Sequence, residues 1–205
     1  MSISYPLSLP TNKSSASIVL YADNVNSVSI SPFTLKQQIH EFEGEGWMID
    51  VTLPQMNWED AAPWVAFLTK LRGVQGTFLA GDTTHREPLG NAAGIIQVNG
   101  AQGTGGDTLN LKGFGSSVVG VLKEGDKIQV GNRLYMVLND ANSTASGLAT
   151  IDIFPKLRSA VADSDGVITS SPKGLFRLKN NRQRLMASNR DRIFTLSFQA
   201  VEAIG

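Results

Sequence analysis

The cluster Asp82, His85 and Glu87 is the first candidate for chemistry in this sequence, because it places an imidazole beside two carboxylates. Such a trio can bind a metal ion or act as an acid and base pair. Zinc sites usually include more imidazole or thiolate ligands, and the only other histidine, His40, lies far away in the sequence. We therefore expect a solvated linker at residues 82–90 and assign no metal ligand.

The glycine-rich stretch GAQGTGGD, residues 100–107, is similar to a phosphate-binding loop only in its glycine content. A P-loop also needs a lysine followed by a hydroxyl residue, and it must lead into the N-terminus of a helix. Neither is present, because Thr108 begins a pattern typical of a strand. We expect a flexible hairpin loop whose glycines supply the φ values that turns require.

Catalytic signatures are weak throughout the chain. There is no G-x-S-x-G nucleophile elbow and no cysteine, and the serines cluster in loops. Glu41, Glu43 and Glu45 could supply glycosidase carboxylates, but three alternating acids are more typical of a solvated acidic edge. We expect that acidic edge, no enzyme activity and no catalytic residue.

Three tryptophans, Trp47, Trp58 and Trp64, could form an aromatic platform for a sugar. All three lie in one strand and helix unit, where packing against a core or an interface explains them. We therefore assign no cofactor-binding residue and expect no cofactor.

Charge is unevenly distributed, although eighteen cations balance eighteen acids overall. Residues 41–60 contain six acids and no lysine or arginine, whereas residues 173–192 contain seven cations and Asp191 as the only acid. A nucleic-acid site would combine such cations with several aromatic residues, but Phe176 is the only one in that segment. We expect complementary faces, either within one domain or between neighbouring subunits.

Length and composition limit the class of protein. The 205 residues suffice for one large domain or two modest ones, and the absence of cysteine excludes disulfides and thiolate metal sites. No stretch approaches the roughly 20 apolar residues of a membrane span, and the first residues lack the pattern of a signal peptide. We expect a soluble protein that is not exported and does not insert into a membrane.

Residues 46–72 change from strand periodicity to helix periodicity. The first half alternates apolar and polar side chains, which predicts a strand with one face on a core. After Pro54 the apolar spacing becomes three and four, which predicts an amphipathic helix capped by Asn57 and ended by Gly73. Pro63 either kinks this helix or moves its start to residues 60–62. The apolar stripe consists of Ala61, Trp64, Val65, Leu68 and Leu71.

Short strands separated by turns predict a mainly β fold for the rest of the chain. Residues 87–158 show evenly spaced strand patterns and no helix, as expected for a small closed β-barrel. Polar stretches on both sides indicate that this barrel is inserted into a first β domain made of residues 1–86 and 159–205. We predict strands at 17–21, 27–31, 35–42, 47–53, 74–80, 94–98, 108–111, 118–122, 127–130, 134–138, 148–154, 175–178, 184–187 and 193–201.

Two segments carry separate expectations. The first dozen residues are polar and contain Pro6 and Pro10, so we expect an arm or an edge segment there. Residues 134–138 have apolar side chains on both faces. This pattern predicts a strand buried at a barrel closure or against the other domain.

The order of these elements resembles the distal tail protein of long-tailed (siphovirus) bacteriophages. The resemblance covers about residues 37–201. It follows the order and spacing of elements and involves no catalytic motif. The matching segments are the helix APWVAFLTKLRG, the strand TFLA, the barrel strands EGDKIQV, GNRLYMVLND and ATIDIFPKLR, and the return through GLFRLKNNRQRL.

This resemblance implies a structural protein of the virion, made in the host cytoplasm and located at the tail tip. It implies a tube-like β-sandwich or barrel domain with one flanking helix, which forms a homo-hexameric ring. An inserted barrel like an oligonucleotide/oligosaccharide-binding (OB) fold would project outward. The implied partners are the tail tube protein and the hub or fibre proteins, with DNA passing through the lumen without specific binding. The alternatives are a carbohydrate-binding β-barrel module for a cell-surface glycan and a hydrolase of the cell envelope.

Overall fold

The computed structural model describes residues 3–11, 17–183, 187–188 and 193–204. Within these residues the fold is mainly β, with one α-helix, a large six-stranded sheet and a second six-stranded sheet that is nearly closed into a barrel. The expected fold class is therefore confirmed. The helix is α1 (Trp58–Leu71), and a 3-10 turn (Gly73–Gln75) follows it. In chain order the strands are β1 (Leu7–Ser8), β2 (Ser17–Ile30), β3 (Gln37–Thr52), β4 (Thr77–Ala80), β5 (Gln97–Val98), β6 (Thr108–Lys112), β7 (Lys127–Val130), β8 (Arg133–Val137), β9 (Leu148–Phe154), β10 (Val167–Ile168), β11 (Gly174–Leu178), β12 (Ala187–Ser188), β13 (Phe194–Thr195) and β14 (Ser197–Glu202).

The first sheet has the strand order β1-β4-β11-β14-β3-β2. Its strand pairs are antiparallel except for β1 and β4, which run parallel through Leu7 and Ser8. The N-terminal segment is thus an edge strand of this sheet, in agreement with the sequence pattern. The opposite edge is the much longer strand β2.

Strands β2 and β3 form one long hairpin of 14 and 16 residues. The prediction of three separate short strands at 17–21, 27–31 and 35–42 was therefore wrong, because most of these residues belong to two long strands. The turn expected at Asp23 and Asn24 is instead a register shift between Asn24 and Asn26, after which pairing continues. A β-bulge accommodates an extra residue without ending a strand, which explains why local turn formers did not interrupt the hairpin.

Helix α1 begins at Trp58, which excludes the alternative start at residues 60–62. Asn57 caps the helix, because its Oδ1 accepts a hydrogen bond from the N–H of Asp60 at 2.9 Å. Pro63 is the sixth residue of the helix, where it lacks the N–H that would otherwise bond the carbonyl oxygen four residues earlier. The chain leaves the helix through Arg72, which has φ 50° and is followed by Gly73.

The first core lies between the helix and one face of the first sheet. The helix contributes Phe67 in addition to four members of the expected stripe, while Val65 is only partly buried. Aromatic rings join the two layers, with the Phe67 centroid 5.4 Å from that of Phe78 and 6.5 Å from that of Phe198. The buried helix residues are Ala61, Trp64, Phe67, Leu68 and Leu71.

The second sheet has the order β10-β7-β8-β9-β6-β5 and surrounds a second core. Its two edge strands approach each other, since Gln97 forms a bridge with Gly166 and the N–H of Val167 donates to the carbonyl oxygen of Ile96. Strand β8 faces both cores, because Leu134 belongs to the first and Tyr135 to the second. This finding explains the apolar residues on both faces of that segment.

Along the chain, the second sheet is inserted between β4 and β11, which are paired strands of the first sheet. Ala80 in β4 is the register partner of Gly174 in β11, so the whole segment 81–173 leaves and returns at neighbouring positions. Val161 and Val167, after the expected boundary at Arg158, belong to the second core, and β10 pairs with β7. The second core therefore extends beyond residue 158, which the polar character of residues 160–173 had concealed.

Other differences from the expected strands are local. Residues 118–122 form a loop with a single bridge between Leu122 and Ala141, and only Gln97–Val98 of the strand expected at 94–98 is formed. The strand expected at 74–80 begins at Thr77. The strand expected at 184–187 lies mostly outside the described residues. The expected final strand is divided at Leu196 into β13 and β14.

Candidate functional site

The acidic and imidazole side chains near residue 82 are held by different partners. Asp82 contacts Lys127 Nζ at 2.9 Å and lies 3.6 Å from His85 Nδ1, whereas Glu87 accepts a hydrogen bond from Ser170 Oγ at 2.6 Å. No group of three potential metal-binding side chains occurs within the part of the chain that the structure describes. Asp82 thus attaches the segment before the second sheet to β7, and Glu87 attaches it to the segment that follows the sheet.

The environment of Asp82 strongly favours its ionised form. Burial would raise the pKa of this carboxyl, but hydrogen bonds from the N–H of Thr84 and His85 and from Lys127 outweigh that effect. The pKa falls from its ordinary value of 3.8 to about 2. A carboxylate held in this way anchors a loop and is a poor general base at neutral pH.

The glycine-rich residues 100–107 connect the antiparallel strands β5 and β6, as expected for a hairpin loop. The loop is attached to Asp163, whose Oδ1 accepts hydrogen bonds from Gly100 N at 2.8 Å and from Lys112 Nζ at 2.6 Å. The Lys112 hydrogen bond is the main reason that the pKa of Asp163 falls to about 2. The N–H of Gly100 thus already binds a carboxylate, which argues against a phosphate cradle.

Two of the alternating acids pair with one lysine. Lys156 Nζ lies 3.7 Å from Glu45 and 4.0 Å from Glu41, and the Lys156 N–H donates to Glu45 Oε2 at 3.0 Å. These contacts join β3 to the segment that follows β9. The acidic edge is therefore partly neutralised inside the chain.

The three tryptophans have different surroundings. Trp47 and Trp64 are buried in the first core, as expected, so they cannot form a sugar platform. Trp58 at the start of α1 is 48% exposed and packs beside Phe194 at a centroid distance of 5.4 Å.

The basic segment 173–192 is only partly described. Lys173, Lys179 and Arg182 are exposed, and Lys179 Nζ lies 3.4 Å from Met48 Sδ. Arg184, Arg190 and Arg192 lie outside the described residues. Among the described cations of this segment, no ion pair with the acids of residues 41–60 is present.

The most unusual surface is the outer part of the β2–β3 hairpin, residues 24–44, which we call the hairpin arm. Strand β14 pairs with β3 only from Met48 to Thr52, so the arm extends beyond the sheet as a two-stranded ribbon. Apolar side chains project from both of its faces and its end. The exposed large apolar residues are Val25, Val28, Ile30, Phe33, Leu35, Ile39 and Phe42.

The end of the arm, residues 31–36, forms an ordered turn that we call the hairpin tip. The N–H of Leu35 donates to Ser31 O at 2.9 Å, and the N–H of Ser31 donates to Lys36 O at 3.0 Å. Leu35 has φ 56°, a strained value for a leucine. The turn leaves Phe33 95% exposed and Leu35 74% exposed. Large apolar side chains held outward in this way are typical of a contact site.

A cavity of about 460 Å³ lies at the start of β2, near the β1 edge of the first sheet. We call it the edge cavity. Asp82 lies in its wall, already paired with Lys127. Its apolar lining includes Leu9, Ile18, Leu79 and Pro172, and its cations are Arg86 and Lys173.

A buried polar junction connects the two sheets. Glu202 Oε2 accepts a hydrogen bond from the Trp47 N–H at 3.3 Å, and its Oε1 lies 3.6 Å from Arg133 Nη1. Burial raises the pKa of Glu202, although Trp47, Arg158 and Arg133 act in the opposite direction. Arg133 also donates to the carbonyl oxygen of Ala203 at 2.6 Å. These bonds fix the second sheet against the first.

The sequence did not reveal the arm, the edge cavity or the junction. The only signal for the arm was the presence of Val, Ile and Phe in residues 25–42, which we interpreted as short strands separated by turns. The cavity and the junction combine residues from distant parts of the chain. Local sequence patterns do not show which distant residues meet in the folded chain.

Comparisons with known proteins add no assignment. No protein-family model matches the sequence, and a comparison with curated proteins finds no match either. In the described part of the chain, no helix has the length and apolar character needed to cross a membrane.

Proposed function

We propose that this protein is a structural component of a phage tail tip, which assembles into a ring that joins the tail tube to the receptor-binding tip and lets DNA pass. The observation that carries the proposal is the hairpin arm, residues 24–44, with its exposed apolar side chains. An isolated two-stranded ribbon is at best marginally stable in water. The arm is therefore expected to become covered when copies of the chain assemble.

The edges of the hairpin support an assembling protein. Among the described residues, no strand pairs with the outer side of β2 or, before Met48, with the side of β3 that faces away from β2. Soluble monomers usually protect such edges with short strands, charges or a covering element. Here the long edge strand β2 is not protected in this way and exposes the apolar side chains of Val19, Val28 and Ile30.

The candidate sites for chemistry also support a structural role. Asp82 is bound to Lys127, and Glu41 and Glu45 share Lys156, so these carboxylates act as links between segments. A hydrolase would instead need carboxylates that converge on an open pocket. In the ring, the second sheet would project outward, because it leaves and returns through the single seam between Ala80 and Gly174.

The assembled state tests the proposal directly. We expect the purified chain to form closed rings in electron micrographs and a discrete multiple of the monomer mass in light scattering. Replacing residues 25–42 with a short glycine turn should leave a folded monomer, because none of these residues belongs to either core. As a control, shortening the loop 100–107 should leave the ring intact.

A monomer at all concentrations, with or without the arm, would contradict the ring. Glycan binding by such a monomer would favour the alternative of a carbohydrate-binding module. Hydrolysis of envelope polymers by the same sample would favour an enzyme instead.

A further inference from the structure

We infer that the hairpin tip of one copy, residues 31–36, inserts Phe33 into the edge cavity of a neighbouring copy. This inference rests on the proposed ring and names the contact that would hold it together. It depends on three observations: the exposed aromatic tip, a cavity with cations at its wall that none of the described residues fills, and the distance between them within one chain.

The tip cannot reach the cavity of its own chain. Ile18 lines the edge cavity, and Ile30 lies at the other end of the same strand. Twelve residues of strand at about 3.3 Å each separate these positions by roughly 40 Å. The tip lies still further away, and the strand contains a bulge but no reversal. Any tip that occupies the cavity must therefore belong to a second copy.

The chemistry of the cavity suits an aromatic side chain. Six of its fourteen lining residues are aliphatic or proline, and Arg86 and Lys173 are available at the same site. Arg86 is fixed by a hydrogen bond from its Nε to the carbonyl oxygen of Thr83 at 3.2 Å. A guanidinium held in this way can stack on the face of a phenyl ring. The volume of about 460 Å³ leaves room for Phe33 and part of Leu35.

The arm is large enough for a specific interface. Standard protein interfaces use about 20–30 residues on each side. The hairpin arm, residues 24–44, provides a comparable number, and its outer edges can pair with further strands. The ordered tip presents Phe33 before contact, which reduces the entropy lost on association.

A tip and a cavity at opposite ends of one strand produce a head-to-tail contact. Each copy then donates one tip and receives another, so both patches are satisfied in a closed ring, an open helical filament or a two-fold dimer that exchanges tips reciprocally. This geometry agrees with the ring proposed above. A tip-to-tip contact, in contrast, would give a two-fold dimer that leaves both edge cavities empty.

Crosslinking can test the contact because the chain contains no cysteine. Thr34→Cys places a thiol on the tip and Thr83→Cys places one at the cavity. Mixing these two single variants with a short thiol-to-thiol crosslinker should give covalent dimers, and the double variant should give a ladder. Thr34→Cys mixed with Glu124→Cys, an exposed position outside the cavity, is the matched control and should stay monomeric on a denaturing gel.

The outcomes separate this inference from the proposed function. If rings form but Thr34 and Thr83 do not crosslink, the inference is wrong and the ring stands. If Thr34→Cys crosslinks equally well alone, the contact is tip to tip and the inference is also wrong. If no assembly occurs at any concentration, both fail. Crosslinking of tip to tail-tube protein in place of a second copy would overturn the inference as well.

A substitution series provides a second measurement. Phe33→Ser should raise the concentration for half-assembly about 30-fold or more, the effect of losing an interface hot spot. Phe33→Leu should have a smaller effect, and Arg86→Ala should weaken assembly from the cavity side. The thermal unfolding of the monomer should be unchanged by Phe33→Ser, since Phe33 contacts neither core. Equal assembly of Phe33→Ser and wild type would exclude the contact.

Discussion

The indole N–H of Trp47 donates a hydrogen bond of 2.9 Å to the carbonyl oxygen of Leu134. Trp47 belongs to β3 in the first sheet and Leu134 to β8 in the second, and both are buried. The ring of Trp47 also meets Phe154 edge-on at 5.1 Å. Trp47 thus contributes both a hydrogen bond and an aromatic contact to the interface between the two sheets.

Replacing Trp47 with phenylalanine should therefore destabilise the protein. The change leaves a buried carbonyl oxygen without its donor, which costs about 1–3 kcal/mol. Urea denaturation would measure the free energy of unfolding. Trp58→Phe is the matched control, because Trp58 is half exposed and should change stability by less than about 0.5 kcal/mol. Equal effects of the two substitutions would rule out a special role for the bond.

Leu68 should make a large contribution to the first core. It is buried between α1 and the first sheet, so Leu68→Ala should lower the free energy of unfolding by about 2–5 kcal/mol. Val65→Ala on the same helix should have a clearly smaller effect, because Val65 is only partly buried. Chemical denaturation of both variants is sufficient. A loss below about 0.5 kcal/mol for Leu68→Ala would place the residue outside the core.

Asp82 should make stability depend on pH in the acid range. Because its pKa is lowered from 3.8 to about 2 on folding, the ionised carboxylate stabilises the folded state at pH values above 3.8. That contribution disappears as the pH falls through 2. The stability difference between wild type and Asp82→Asn should therefore be largest above pH 4 and vanish near pH 2. Thermal melts across this range would measure it.

Lys127→Gln provides the control for that effect. Lys127 Nζ lies 2.9 Å from Asp82 Oδ2, so its loss should reduce the pH-dependent difference without removing the hydrogen bonds from Thr84 and His85. A wild-type advantage that stays constant from pH 6 to pH 2 would contradict the assignment to Asp82.

The pairing of β4 with β11 predicts that the segment between them can be deleted without unfolding the first sheet. Removing residues 82–172 joins Gly81 to Lys173, next to the register pair Ala80 and Gly174, so the first sheet should still fold cooperatively. Its stability should be lower, because Leu134 and Phe154 leave the first core. Removing residues 87–158 instead should expose Val161 and Val167, which belong to the second core, and promote aggregation. Calorimetry and light scattering distinguish the two products.

The exposed cations after β11 should affect ring assembly. Lys179→Glu and Arg182→Glu reverse two exposed cations for which no ion pair with the acids of residues 41–60 occurs among the described residues. If neighbouring copies supply those acids, the reversal should slow assembly, as should about 1 M salt, where the Debye length is about 3 Å. Lys123→Glu on the second sheet is the control. Assembly that is insensitive to salt and to both reversals would exclude charge pairing between copies.

The sequence predicts local elements well and long-range ones poorly. The cap at Asn57, the end of the helix near Gly73 and the alternation in β14 follow from neighbouring residues, and each is present. The long hairpin was divided incorrectly because Asp23 and Asn24 favour turns, whereas cross-strand pairing carries β2 through them. Strand β10 has only two residues, too few for any periodicity.

The candidate site shows the same limit. The loop role of residues 100–107 follows from glycine content and from the absent lysine. The edge cavity requires Leu9, Ile18, Arg86 and Lys173 to meet, and no spacing in the sequence indicates this. The exposure of Phe33 was equally hidden, because a phenylalanine between strand patterns normally suggests a buried position.

The register pair Ala80 and Gly174 has a consequence for the order of folding. These residues are far apart in the sequence, so forming their pairing in an unfolded chain requires the closure of a long loop, which slows folding. Prior formation of the second sheet would bring the two ends together and remove most of that delay. We therefore expect amide protons of β6 and β9 to become protected from exchange earlier during refolding than those of β4 and β11.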